Sequence, residues 1–297
     1  MKIADYGRKA IDFNNAAAAT ATEGVSRRFL VTSLASGFAA ATLPVSAQTI
    51  TTDTKGIAVA EVKVKTADGE IPAYVARPSK AGKHPVILVV QEIFGVHEHI
   101  KDMCRRYAKQ GYYAIAPEMF SRQGDVSKLT DIGTILSTVV SKVPDAQVCA
   151  DLDSAVAFAK ASGHADTAKL GLVGYCWGGR TAWVYAHHNK GLKAAVAYYG
   201  LLEGLKDGTL RTRDPIDFAE EIKVPVLGLY SGIDAFVKQE TIAKMRGLIA
   251  KGGSGSEIVV FPNVDHGFNA DYRPTYDKAA ASYAQKLAND WFKKYGV

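Results

Sequence analysis

The stretch LGLVGYCWGG, residues 170–179, joins a short apolar run to a cysteine that is flanked by glycines. Residues 170–173 are typical of a buried strand, and a helix is expected to follow from about residue 179 to residue 188. The segment GYCWG has the form G-x-S-x-G with cysteine in place of serine, a pattern that places a nucleophile on a sharp strand-to-helix turn. Cys176 is therefore our candidate nucleophile, although such a turn can also hold a small buried cysteine that has no chemical role.

The same turn would provide two groups that assist a cysteine nucleophile. The backbone N–H of Trp177, the next residue, would point at the oxygen of a bound carbonyl group. The positive end of the following helix would favour a thiolate at Cys176. A cysteine in this position is therefore suited to attack on a carbonyl carbon.

Strands and helices alternate along the rest of the chain. Predicted strands cover residues 58–65, 71–76, 86–90, 112–116, 194–199, 226–230 and 257–261, and further predicted helices cover residues 100–110, 146–161, 237–251 and 275–295. Such alternation predicts an α/β domain with a mostly parallel central sheet of about eight strands and helices on both faces. The first two strands read as a hairpin, so we expect an antiparallel edge.

Two further candidate residues follow predicted strands directly. Asp234 lies in the segment YSGID, and His266 lies in NVDHGF. Reactive groups of parallel α/β sheets gather at the carboxyl ends of the strands, so we expect both to lie near Cys176. The chain order of nucleophile, acid and histidine is that of α/β-hydrolase triads, which predicts a single-domain α/β-hydrolase fold. Taken singly, Asp234 could be a turn former or helix cap, and His266 an ordinary loop histidine.

Composition and charge argue against several other classes of protein. The net charge is +6, but the Lys and Arg residues are scattered, which is typical of a solvated surface and not of a nucleic-acid-binding stripe. His97 and His99 lack a matching carboxylate–histidine set, so we expect no metal site, and the triad chemistry needs no cofactor. Three cysteines are too few for a disulfide scaffold, and whether Cys104 and Cys149 pair is left open.

Residues 1–47 read as a lead-in and a signal peptide. A basic pair, Arg27-Arg28, precedes an uncharged apolar run that ends in the small residues of Val45-Ser46-Ala47. This order of segments is typical of secretory signal peptides. The basic pair resembles a twin-arginine signal, although Phe29 follows it without the usual intervening residue. An uncleaved amphipathic N-terminal helix is the alternative.

The signal peptide also sets the expected domain organisation and location. Residues 48–56 would form a linker, and residues 57–297 would form the folded domain. We expect a periplasmic or secreted protein that is exported by the twin-arginine route, and no stable membrane insertion after cleavage. The sequence leaves the oligomeric state open.

Four segments resemble the dienelactone hydrolase family, and the resemblance covers roughly residues 57–295. They are QEIFG at residues 91–95, GYCWGG at 174–179, GID at 232–234 and DHGF at 265–268. The combination of a cysteine nucleophile with the QEIFG segment is specific, because serine hydrolases of this fold usually show neither.

The resemblance implies roles for three more residues. Glu92 matches a glutamate that contacts the resting cysteine and helps to form the thiolate when substrate displaces it, so it would act as a thiolate gate. The backbone N–H of Ile93 matches the second donor of the oxyanion hole, beside that of Trp177. Tyr199 matches a tyrosine that faces the substrate. A solvated loop glutamate is the alternative for Glu92.

The sequence also departs from the family at the positions that hold a substrate carboxylate. Members that cleave dienelactone have an arginine four residues after the histidine, where this chain has Ala270, and the nearest arginine is Arg273. They have a second such arginine before the nucleophile strand, whereas residues 123–148 contain none. These departures argue against dienelactone as the substrate but not against hydrolysis.

The expected function is hydrolysis of a small-molecule ester or lactone through the triad of Cys176, His266 and Asp234, as in a carboxymethylenebutenolidase. Two alternatives stay open. The chain could be a thiol-dependent acyltransferase or peptidase, or it could be a binding protein that keeps the fold without catalysis. An intact triad argues against the binding protein.

Overall fold

The computed structural model describes residues 50–297, in which strands and helices alternate. The strands are β1 (Ile57–Thr66), β2 (Gly69–Pro78), β3 (His84–Val90), β4 (Tyr113–Pro117), β5 (Ala165–Tyr175), β6 (Ala194–Tyr198), β7 (Val226–Ser231) and β8 (Glu257–Phe261). The helices are α1 (Glu98–Lys109), α2 (Ile132–Thr138), α3 (Asp145–Ala161), α4 (Trp177–His188), α5 (Gln239–Gly252) and α6 (Lys278–Lys294). The predicted signal peptide at residues 1–47 lies outside the described residues.

All eight strands form one sheet in the order β1-β2-β4-β3-β5-β6-β7-β8. Strands β3 to β8 are parallel to one another, whereas β2 is antiparallel to both β1 and β4. The predicted antiparallel edge is therefore present. The sheet order and direction confirm the predicted α/β-hydrolase fold.

Helices cover both faces of the sheet because the strands are apolar on both sides. In β3, Val86 and Leu88 belong to one apolar cluster, and the alternate residues Ile87 and Val89 belong to another. The first cluster packs against α3, α4 and α5, and the second against α1 and α6. A continuous apolar run such as that of β3 is what a strand buried on both faces requires.

Two segments differ from the sequence-based expectation. The sequence analysis predicts no strand or helix between residues 121 and 143, but the structure has α2 there. The N-terminus of α2 is capped by Asp131, which accepts a 2.7 Å hydrogen bond from the Thr134 N–H. Strand β5 begins at Ala165 and not at Leu170, because Ala165 pairs with His84 before the register shifts. Its first residues are polar, so no apolar run marks this part of the strand.

The carboxyl ends of β3, β5, β7 and β8 lie at one edge of the sheet and carry the candidate residues. Glu92 and Ile93 follow β3, Cys176 follows β5, Asp234 follows β7 and His266 follows β8. Within residues 50–297, no helix is both long enough and apolar enough to cross a membrane.

Candidate active site

Cys176 occupies a strained turn between β5 and α4. Its φ is 54° and its ψ is −109°, a conformation that a non-glycine residue rarely adopts. The flanking glycines make the turn possible: a Cβ at Gly174 would lie 1.9 Å from the Gly178 carbonyl oxygen, and a Cβ at Gly178 would lie 2.4 Å from that of Val90. The turn leaves Cys176 partly exposed at the edge of the sheet.

His266 lies between Cys176 and Asp234. Its Nε2 is 3.1 Å from Sγ of Cys176, and its Nδ1 is 2.9 Å from Oδ2 of Asp234. The other carboxylate oxygen of Asp234 accepts hydrogen bonds from the N–H groups of Phe236 and Val237, at 2.8 and 3.2 Å. These bonds hold the carboxylate in place, so the three residues predicted from the sequence are brought into one hydrogen-bonded row.

The electrostatic setting of His266 favours its protonated form. Burial alone would lower the pKa of the imidazole, but the negative charges of Asp234 and Cys176 outweigh burial and raise this pKa to about 10. At neutral pH the imidazole of His266 is therefore suited to carry a proton on both nitrogens. Asp234 has a fully buried side chain, so its charge acts on His266 with little screening by solvent.

The candidate oxyanion donors are the backbone N–H groups of Trp177 and Ile93. Helix α4 begins at Trp177, whose N–H has no acceptor within the helix, and Ile93 lies in the loop after β3. A 3.0 Å hydrogen bond from the Gly178 N–H to the Gln91 carbonyl ties that loop to the first turn of α4. In the described part of the chain, neither Trp177 nor Ile93 donates its N–H to a protein group, so both remain available to a bound oxygen.

Glu92 is fully buried but makes no hydrogen bond to Cys176 in the structure. One carboxylate oxygen accepts a short hydrogen bond from the Tyr272 hydroxyl and lies 3.6 Å from Nε2 of His97. The other oxygen lies 3.6 Å from Nη2 of Arg273. The structure therefore shows no hydrogen bond of the kind that the family resemblance implies between Glu92 and Cys176, and the carboxylate instead contacts Tyr272, His97 and Arg273.

The charges around Glu92 keep it ionised. Burial alone would raise the pKa of its carboxyl group, but the positive charge of Arg273, assisted by the contact with His97, outweighs burial and holds this pKa far below its usual range. Burial also opposes the charge of Arg273, yet its neighbours, first Tyr272 and then Glu92, raise the pKa of its guanidinium. Arg273 therefore shares one buried electrostatic cluster with Glu92 and Cys176.

Sequence reasoning named Arg273 only as the nearest arginine and did not name Tyr272 at all. Both lie in the irregular segment after His266, where successive turns run from Gly267 to Ala270 and from Ala270 to Arg273. No periodic pattern marks such a segment, so the sequence offered only the presence of an arginine seven residues after the histidine as a signal.

Tyr199 lies beneath His266 and has no exposed surface. The two ring centroids are 5.0 Å apart, and the ring of Phe236 contacts His266 from another direction at the same distance. Tyr199 has a positive φ of 38°, and within residues 50–297 its buried hydroxyl has no hydrogen-bond partner. The ring of Tyr199 thus packs against the imidazole of His266, and its role toward a substrate stays a prediction.

A cavity of about 710 Å³ adjoins the Glu92 side of the site, because Phe94 and His97 form part of its wall. The rest of the wall comes from β1, β2, α1 and the loop after β4. The wall includes neither Cys176 nor His266. The cavity therefore borders the cluster of Glu92 and not the contact between thiol and imidazole.

The other histidine and cysteine candidates have structural partners or are buried. Nδ1 of His99 lies 3.1 Å from Oδ1 of Asp271, and residues 50–297 hold no group of three or more side chains suited to a metal ion. Cys104 and Cys149 are both buried and unpaired, so the structure contains no disulfide between them.

Comparison with known proteins gives a consistent result. The family model described as "Dienelactone hydrolase family" matches residues 71–296. A curated relative from Methylorubrum extorquens, named "Putative carboxymethylenebutenolidase", is 55% identical over 92% of this chain and 94% of its own. A relative of the same name from Escherichia coli K12 is 45% identical over 90% of this chain and 98% of its own.

A solved structure agrees with these sequence relatives. The crystal structure described as "Putative Dienelactone Hydrolase from Klebsiella pneumoniae" is 47% identical, with a TM-score of 0.78, and the match covers 80% of this chain and 99% of that chain. The family model alone spans well over half of this sequence. The chain belongs to the dienelactone hydrolase family.

Proposed function

We propose that this protein hydrolyses a carboxylic ester or lactone by two-step acyl transfer, with Cys176 as the nucleophile. The observation that carries the proposal is the row of contacts from Sγ of Cys176 to Nε2 of His266 and from Nδ1 of His266 to Asp234, at 3.1 and 2.9 Å. Such a row is the arrangement in which a base activates a nucleophile and an acid orients the base.

In the first step, the thiolate of Cys176 attacks the carbonyl carbon and forms a carbon–sulfur bond. The carbonyl oxygen becomes an oxyanion, which the N–H groups of Ile93 and Trp177 stabilise; one such donor is typically worth about 2.7–4 kcal/mol. The tetrahedral intermediate then breaks its bond to the alcohol oxygen. The imidazolium of His266 gives its proton to the departing alkoxide.

In the second step, water hydrolyses the thioester that the first step leaves on Cys176. His266, now neutral, takes a proton from the water as the hydroxide attacks the acyl carbon. The carbon–sulfur bond breaks, the thiolate is restored, and the carboxylic acid leaves. Asp234 keeps Nδ1 of His266 protonated, so that Nε2 performs both proton transfers.

Esters and lactones suit this site better than peptides. The tetrahedral intermediate of an ester can expel the alkoxide and leave a thioester on the cysteine. The intermediate of an amide would instead expel the thiolate, which is a better leaving group than the amine, and would give back the substrate. Curated relatives carry the name carboxymethylenebutenolidase, which favours a lactone. The departures at Ala270 and in residues 123–148 make a substrate other than dienelactone our expectation.

The test is a screen of purified protein against lactones and p-nitrophenyl esters of different acyl length, followed by substitution of Cys176 by Ala. We expect hydrolysis by the parent protein and a loss of at least about 10³-fold in the variant, because the nucleophile is removed while oxyanion stabilisation remains. Cys104→Ala is the matched control, since that cysteine is buried in α1 and should be dispensable. Activity above a few per cent in Cys176→Ala would rule out the proposed nucleophile.

The same screen separates hydrolysis from the two alternatives. Added alcohols and amines would appear in the products if the protein were an acyltransferase, and peptide substrates would be cleaved if it were a peptidase. A binding protein that keeps the fold would show no turnover, and iodoacetamide would alkylate its cysteine at an ordinary rate.

A further inference from the structure

The cavity of about 710 Å³ beside Phe94 has the size and the lining of a small-molecule site. Its volume lies within the range of about 300–1,000 Å³ that is usual for such sites. The buried residues of its wall are apolar: Ala73, Tyr74 and Val126 are each no more than 7% exposed. The exposed residues of the wall are mostly polar, among them Lys63, Ser121 and Ser127. A buried apolar wall with a polar rim is suited to an apolar ligand group.

Two segments connect this cavity with the candidate oxyanion donors. Phe94, which forms part of the wall, directly follows Ile93 in the chain. The loop after β4 forms another part of the wall, and the ring of its Phe120 packs edge-on against the ring of Trp177, with the centroids 4.8 Å apart. The cavity therefore lies beside the two residues whose N–H groups would hold the carbonyl oxygen of a substrate.

The role of His266 decides which part of a substrate the cavity can hold. In the proposed mechanism His266 protonates the departing alcohol oxygen, so the alcohol part must lie close to Nε2 of His266. Neither His266 nor Cys176 lines the cavity, whereas Phe94 does. The acyl part extends from the carbonyl carbon away from the alcohol oxygen. It is therefore the part of the substrate that would enter the cavity.

The charges at the wall do not favour an anionic acyl part. Lys101 is paired with Glu61 at 2.5 Å, and Lys63 is exposed, so that solvent screens its charge. Glu118 accepts a 2.7 Å hydrogen bond from a backbone N–H and forms no ion pair with any residue between 50 and 297. Whether this group is ionised or protonated, it offers no positive charge to a ligand. Arg273 is not part of the wall, and a buried carboxylate 3.6 Å away offsets its charge.

We propose that this cavity is the acyl-binding site, and that it selects esters or lactones whose acyl part is bulky, apolar and without negative charge. The proposal rests on the proposed function, hydrolysis with Cys176 as the nucleophile. It assigns to this chain a substrate class that differs from the carboxylate-bearing lactone of the family members that cleave dienelactone.

The first part of the test compares three p-nitrophenyl esters with the parent protein. They are the acetate, the phenylpropanoate, and a carboxyphenylpropanoate that carries a carboxylate at the end of the same skeleton. We expect kcat/KM for the phenylpropanoate to exceed that for the acetate by about tenfold or more, because the phenyl group leaves water for the apolar wall. The carboxylate-bearing ester should be slower than the phenylpropanoate by about tenfold or more, since its charge loses water and finds no cationic partner.

The second part of the test fills the cavity. Val62 is a half-buried wall residue in the edge strand β1, and Val62→Trp should lower kcat/KM for the phenylpropanoate by about tenfold or more. The acetate is too small to reach the cavity, so its kcat/KM should stay within about twofold of that of the parent protein. Ser121→Trp fills the cavity from its exposed rim, where folding is not at risk, and should act in the same direction.

Val59→Trp is the matched control, because Val59 lies in the same strand, is 40% exposed and is not part of the wall. It should leave kcat/KM for all three esters unchanged.

Three results would overturn the proposal. The first is a parent protein that hydrolyses the carboxylate-bearing ester faster than the phenylpropanoate. The second is a kcat/KM for the phenylpropanoate that is unchanged in both Val62→Trp and Ser121→Trp. The third is an equal loss for acetate and phenylpropanoate in both variants. Each of these leaves hydrolysis at Cys176 intact, whereas a parent protein that hydrolyses none of the esters or lactones of the screen would remove the proposed function itself.

Discussion

His266 is held between two negative groups, and this placement sets the pH range in which the protein can work. Asp234 lies on one side of the imidazole and Cys176 on the other, and together they raise the pKa of His266 to about 10. Deprotonation of the imidazolium removes the acid that protonates the leaving alkoxide. Activity should therefore persist through neutral pH and decline as the pH rises through about 10, as a property of the coupled pair of thiol and imidazole.

Asp234→Asn tests this reasoning. Removal of the carboxylate removes the largest influence that raises the pKa of His266, so the alkaline decline of kcat/KM should move to lower pH by about one unit or more. The maximal rate should fall as well, because Asn does not hold the imidazole in the correct tautomer. The measurement is kcat/KM against pH for both proteins with a p-nitrophenyl ester. An alkaline limb that stays in place would mean that Asp234 does not control the charge of His266.

The three residues in the row could be predicted from the sequence because each follows a strand. Tyr272 and Arg273 could not be predicted, since their positions depend on how the loop after His266 folds and not on any periodic pattern. The orientation of the Glu92 side chain could not be predicted from the sequence either. Which of several neighbours attracts a buried carboxylate is decided by distances that the sequence does not contain.

At the scale of elements, the turn between β5 and α4 depends on glycine. Gly178 sits where the helix passes the end of β3, and a Cβ there would lie 2.4 Å from the carbonyl oxygen of Val90. Because that neighbour is backbone, it cannot move aside as a flexible side chain would. The motif GYCWG could be predicted to form this turn because its glycines stand where backbone segments come too close together to leave room for a Cβ.

Gly178→Ala should therefore lower the free energy of unfolding by about 1–3 kcal/mol and reduce hydrolysis, because the backbone must shift at the turn. Gly247→Ala is the matched control: it lies on the exposed side of α5, where a Cβ meets nothing within 4 Å. Alanine there should raise stability by about 1 kcal/mol through helix propensity. Urea titration gives both values. Equal effects of the two substitutions would contradict the packing that we describe.

Other elements were predictable to different degrees. The central strands are continuous apolar runs, and their burial on both faces makes them evident in the sequence. The sequence analysis did not predict the start of β5 or helix α2, because neither has an apolar pattern that marks it. Polar residues form the start of β5, and α2 is a short helix whose main signal is the cap from Asp131 to Thr134.

At the scale of the whole molecule, the three cysteines should differ sharply in reactivity. Cys176 is partly exposed, whereas Cys104 and Cys149 are buried, and burial raises the pKa of the Cys149 thiol to about 12. A folded sample should therefore show one thiol that reacts rapidly with a thiol reagent, and an unfolded sample should show three. Fewer than three thiols in unfolded, unreduced protein would indicate a disulfide that the structure does not contain.

The location of the protein is the second prediction at this scale. The basic pair, apolar run and small residues before Gln48 lead us to expect an exported protein that begins near Gln48. Fractionation of cells followed by N-terminal sequencing tests this. Full-length protein in the cytoplasm would contradict it. If Arg27→Lys with Arg28→Lys leaves export unchanged, the route is not the twin-arginine route.

The most direct test of Cys176 as the nucleophile is to trap the acyl-enzyme. Protein that is turning over a slowly hydrolysed p-nitrophenyl ester is quenched with acid, and its mass is measured intact and after digestion. We expect one acyl group per chain, on the peptide that contains Cys176, and none on Cys176→Ala. An unmodified Cys176 peptide, together with undiminished hydrolysis by Cys176→Ala, would contradict the proposed mechanism.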